Sequence, residues 1–145
     1  MNANIFAYLK HEQQLLEEMV VLAGKQQRAL INFDTKILKE IVSYQEVVAA
    51  SLKKAEDSRV KMLMSWLAIS AQDARKLKLS ALEEHFKNEE LKELKKLRLR
   101  LKSLMNELNS LNSLNRVLNN RAKNSINNMM SHFALGRNFL CNVKV

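Results

Sequence analysis

Apolar residues recur at helical intervals along almost the whole chain. From about Asn4 to Asn32 the apolar positions are Ile5, Leu9, Leu15, Leu16, Met19, Leu22, Ala23 and Leu30, spacings of three and four residues that predict an amphipathic helix. The rhythm breaks at Asn32-Phe33-Asp34, where Asp34 has the chemistry of an N-cap for a second helix. So short a connection predicts an antiparallel hairpin. The second helix presents Leu38, Ile41, Val48, Leu52, Ala55, Met62, Trp66 and Ile69 along one stripe and is expected to run to about residue 70. Between Ser70 and Lys78 the rhythm fades, which predicts a connection. Ser80-Ala81-Leu82-Glu83 then has the form of a capping box that starts a short helical piece or turn.

Asn88-Glu89-Glu90 is a further start signal, with two carboxylates placed at the positive end of a helix dipole. The third helix is expected to continue to about Phe133 and to stop near Gly136, a residue suited to a left-handed terminator. Its first half keeps a heptad: Leu94, Leu97, Leu101, Leu104, Leu108 and Leu111, with Asn115 at the next seam position and Leu118 after it. Beyond Leu111 the apolar residues Leu111, Leu114, Leu118, Ala122, Ile126, Met129 and Phe133 advance 22 residues in six steps. That interval exceeds the coiled-coil value of about 3.5 residues, so the stripe is expected to turn away from the seam. Nine asparagines between Asn106 and Asn128 weaken the same stretch, each by about 0.5 kcal/mol against alanine, so it needs a packing partner.

Composition agrees with helices and excludes alternatives. The 145 residues include no proline and two glycines, where average usage would place roughly seven and ten, so a sheet-rich fold lacks its punctuation. The reading is an all-α fold, an antiparallel helical hairpin plus a long third helix in a three-helix coiled-coil-like bundle. It is laid out as one helical domain over 1–145: hairpin 1–70, connection with a short helix 71–88, long helix 89–135 and tail 136–145. The only cysteine, Cys141, cannot form an intrachain disulfide, and no basic region followed by an apolar stretch marks a secretion signal or membrane span. A cytosolic, soluble protein is expected.

The net charge of +9 lies entirely in the second half: residues 108–145 carry five basic side chains and no Asp or Glu. The cluster Lys92, Lys95, Lys96, Arg98, Arg100 and Lys102 spreads around its helix, without a stripe of stacking aromatics, which argues against nucleic acid. No catalytic or metal motif is present. His11-Glu12 lacks the second histidine of a zinc-protease motif because position 15 is Leu15, and neither His85 nor His132 has a ligand set nearby. No enzyme, cofactor, metal or small-molecule substrate is expected.

Residues Leu79 to Phe133 also carry a family likeness. Ser80-x-Leu82, Glu89-Glu90-Leu91 and the run Leu108-Asn109-x-Leu111-Asn112-x-Leu114-Asn115-x-x-Leu118 resemble the FlgN-type flagellar export chaperones. The resemblance implies a small type III export chaperone of the bacterial flagellum. It implies binding of the C-terminal segments of hook-associated proteins of the FlgK and FlgL type, prevention of their premature assembly and delivery to the export gate. The family motif maps to Asn109, Asn112 and Asn115 among Leu111, Leu114 and Leu118. The family docks on the export-gate protein FlhA through a C-terminal region with a tyrosine. This chain departs from that pattern, having no tyrosine beyond Tyr44, and Phe133 or Phe139 is the expected substitute. The residues themselves support a client-binding strip of Leu111, Leu114, Leu118, Ala122, Ile126, Met129, Met130 and Phe133, in which methionine adapts to imperfect partners. The competing use of the strip is packing on the first two helices or on a second copy, as in a homodimer or a homo-oligomeric coiled-coil adaptor.

Overall fold

The computed structural model describes the backbone of residues 3–137 and side-chain surroundings from Ile5 to Ser131. Four α-helices and a 3₁₀ segment follow in order: α1 (Ala3–Ile31), α2 (Thr35–Leu67), α3 (Ala71–Lys76), the 3₁₀ segment (Leu79–His85) and α4 (Asn88–Arg137). The fold is all-α. α1 is the middle element, packed on one side by α2 and on the other by α4, while α2 and α4 have no Cα atoms within 8 Å of each other among the described residues.

The expected hairpin forms, and three residues build its corner. The amide of Asp34 donates to the Ala29 carbonyl at 2.9 Å and that of Phe33 to the Leu30 carbonyl at 3.3 Å. This is the Schellman pattern that satisfies the last carbonyls of a helix. Phe33 holds the left-handed position, with φ of 54°, where glycine is usual. Asp34 then caps α2, its carboxylate accepting from the Ile37 amide at 3.1 Å. α1 and α2 are antiparallel, as the contacts Glu12 to Arg59 and Gln26 to Gln45 require. α4 runs parallel to α1, with Lys10 bound to Glu93 at 2.8 Å and Glu17 to Arg100 at 3.4 Å.

The parallel direction needs the chain to turn twice near the start of α1, and the connection does this. Ala68 ends α2 in a left-handed conformation. Ser70 caps α3, its hydroxyl accepting from the Asp73 amide at 3.1 Å. Ser80 does not act as the predicted cap: it lies inside the 3₁₀ segment, which starts after Lys78 with no side-chain cap. Ser70 and Asp73 carry the same pattern one short helix earlier. The main core lies at this end. Ile5 and Leu9 of α1, Val60 and Leu63 of α2, Leu82 and Phe86 of the connection, and Leu94 of α4 are buried together. Phe6 and Phe86 meet edge to face with ring centres 5.2 Å apart, and Trp66 stacks obliquely on His85 at 5.2 Å.

Both flanking contacts draw on α1, so its buried residues extend beyond a single stripe to Phe6, Glu12 and Ala29. In α2 the stripe holds at Ile41, Val48 and Ala55, then shifts to Val60 and Leu63, leaving Met62 and Trp66 half-buried where the helix turns toward the connection. Gly136 does not end α4; the described helix passes through it to Arg137.

Candidate functional site

The seam of α4 on α1 is built from leucines. Leu94, Leu97, Leu101 and Leu104 are buried, and each such side chain contributes about 1.5–3 kcal/mol on leaving water. Contrary to the expected turn away at Leu111, the seam persists past it. Leu111 and Leu118 are half-buried, and Asn115 between them is buried, its amide donating to the Ala23 carbonyl at 2.9 Å and to Gln26 Oε1 at 3.3 Å. Leu114 and Val117, off the seam, are exposed. The heptad ends where its partner ends: Leu30, next to the last residue of α1, lines the same groove as Asn119 of α4.

Past that level α4 has no helix beside it among the described residues. The stretch from residue 120 to Arg137 extends about 27 Å beyond the hairpin at 1.5 Å per residue. Of its described apolar side chains, Ile126 is 47% exposed and Met129 68%, while Ala122 and Met130 are half-buried. The strip therefore divides into two parts. Leu111 and Leu118 belong to the α1 seam, whereas Ala122, Ile126, Met129 and Met130 stand on the projecting end. Of the motif asparagines, Asn109 and Asn112 are exposed and Asn115 is internal. Phe133 lies on the described helix but its side chain is outside the described surroundings, and Phe139 lies outside the described residues altogether.

Charge on α4 changes along its length. Near its start the basic residues are tied into the fold: Arg98 binds Glu83 at 2.9 Å, Arg100 reaches Glu17, and Lys92 reaches Glu89 at 3.2 Å. These pairs engage Lys92, Arg98 and Arg100 of the basic cluster. On the projecting end Arg121 and Lys123 are exposed and no carboxylate follows Glu107 in the chain. Apolar side chains flanked by basic ones suit an amphipathic helix bearing acidic residues. One site contribution escaped the sequence: Val42 and Ala49 of α2, exposed and outside its predicted stripe, face α4 across the groove. Nothing in the periodicity separates such positions from an ordinary helix exterior.

A helical hairpin that supports a long helix with an uncovered apolar end defines a protein-binding helical module. No helix among the described residues is long and apolar enough to cross a membrane. The family model described as FlgN protein matches residues 1–138, and the chain belongs to that family, whose members are chaperones of flagellar export. No curated protein and no solved structure matches the chain.

Proposed function

We propose that the chain is a cytosolic chaperone that binds the C-terminal amphipathic segments of hook-associated proteins of the FlgK and FlgL type. It keeps them from assembling early and delivers them to the export-gate protein FlhA. One observation carries this reading: the leucine seam of α4 outlasts α1, so its apolar face continues through Ala122, Ile126 and Met129 with no helix seated on it among the described residues. The asparagines make this part of the helix costly to hold alone, so a bound helix both covers the strip and stabilises the element that carries it. Phe133 and Phe139 remain the proposed contacts for the export gate, in place of the family's tyrosine.

Ile126→Asp tests the reading, because the side chain is exposed and its replacement leaves the hairpin core untouched. Titration calorimetry with a FlgK-type C-terminal segment should show binding reduced at least about tenfold, a loss of 1.4 kcal/mol or more, with unchanged helical circular dichroism. Equal affinity in the variant would remove the projecting end from the binding site.

A further inference from the structure

Because α2 and α4 both pack on α1 and not on each other, an open groove of about 650 Å³ runs between them with α1 as its floor. Leu38, Val42 and Ala49, with Glu46 beside them, form one wall; Asn112, Arg116 and Asn119 form the other. Three features make the groove continuous with the projecting strip. At about 100° per residue, Asn112, Arg116, Asn119, Lys123, Ile126 and Met130 share one arc of about 80° on α4, so the wall runs on into Ile126 and Met130, while Ala122 and Met129 continue the line of the α1 seam. Asn115, 4% exposed, lies in the groove with its Oδ1 buried and unpartnered among the described residues, an acceptor awaiting a donor. Every charged residue of the described α4 from Arg116 onward is basic.

We infer that the bound segment does not stop at the projecting end but continues as a helix along this face of α4 into the groove, where it packs as a fourth helix against α1 and α2. This rests on the proposed client binding and specifies where the rest of the client lies. The occupant is an acidic amphipathic helix: its apolar side meets Leu38, Val42 and Ala49, its carboxylates flank Arg116 and Lys123, and a polar donor reaches Asn115. The path from Asn112 to Arg137 is about 38 Å, enough for a helix of roughly 25 residues, whereas the projecting end alone takes about 18. Four helices around one core are also a common closed solution for such a bundle. A second copy of this chain fits less well, since it would set one basic α4 against another.

The test places a photo-crosslinking amino acid at Val42 or at Ile126 of the full chain, with a FlgK-type C-terminal segment as probe. Adducts with the probe from both positions are expected. Adducts from 126 alone overturn the groove path and leave the proposed function standing. Adducts from neither overturn both, and a crosslink at 42 to a second copy of the chain, without probe, overturns the assignment of the groove. Independently, Val42→Asp should weaken probe binding at least about fivefold while Tyr44→Asp, on the opposite side of α2, leaves it unchanged. Equal affinity for Val42→Asp and the unmodified chain would also overturn the inference.

Discussion

The side-chain amide of Asn115 donates to the backbone carbonyl of Ala23 at 2.9 Å, joining positions 92 residues apart. It also donates to Gln26 Oε1, which accepts from Gln45 Nε2 at 2.9 Å, so one polar layer crosses α4, α1 and α2. A leucine seam alone would tolerate sliding by a heptad; a buried asparagine with a fixed acceptor does not. Asn115→Leu should raise stability by about 1 kcal/mol in urea unfolding, because an apolar side chain replaces a half-satisfied amide. It should also broaden the distance distribution between spin labels on Lys25 and Asn120. A distribution as narrow as that of the unsubstituted chain would show that Asn115 does not set the register.

The chain spends a glycine where it is not needed and lacks one where it is. Gly24 lies inside α1, and a Cβ added there meets nothing within 4 Å. Gly24→Ala should therefore stabilise by about 0.5–1 kcal/mol. Ala68, with φ of 53°, ends α2 in the left-handed region, and Ala68→Gly should stabilise by about 1 kcal/mol. Thermal unfolding of the two single variants and the double variant checks both values and their additivity across distant sites.

Core and projecting end should respond differently to truncation. Leu94 is fully buried in the main cluster, so Leu94→Ala should cost about 2–5 kcal/mol. Met129→Ala, at a side chain 68% exposed, should change unfolding by no more than about 0.5 kcal/mol. A large loss in the second variant would mean that Met129 is packed in the free protein.

Glu12 supplies a pH dependence. It is buried beside Arg59, whose Nε donates to both carboxylate oxygens at 3.0 Å. Burial raises its pKa above the ordinary carboxylate value and outweighs the lowering by Arg59. The folded chain therefore holds this proton more tightly than the unfolded chain. The stabilisation it confers is complete below the unfolded value near 4.5 and is lost as pH rises through the elevated folded value. Glu12→Gln has no such proton. The stability of the unsubstituted chain minus that of the variant should fall as pH rises above about 4.5 in urea titrations. A constant difference would show that the proton plays no part.

Much of the fold was legible because helix signals are local. Asp34 and the hairpin corner, the start of α4 at Asn88 and the leucine seam all depend on residues within one or two turns. Two aspects depended on tertiary geometry. Phe33, Ala68 and Asn88 adopt positive φ that their identities do not announce. The longer apolar interval beyond Leu111 predicts divergence from the seam, whereas the seam ends only where α1 runs out, a limit set by the length of another helix. The strip itself could be found by periodicity; Val42 and Ala49 could not, since a groove wall made by a second helix has no period of its own.

Beyond Asn119, α4 has no helix beside it among the described residues, and the proposed client helix would cover it there. Hydrogen exchange of the full chain, with and without a FlgK-type C-terminal segment, addresses it most directly. Amides of residues 120–131 should exchange fastest among those of the long helices in the free protein, and slow by at least about tenfold when the segment is bound. Slow exchange there in the free chain, or unchanged fast exchange with the segment bound, would contradict it.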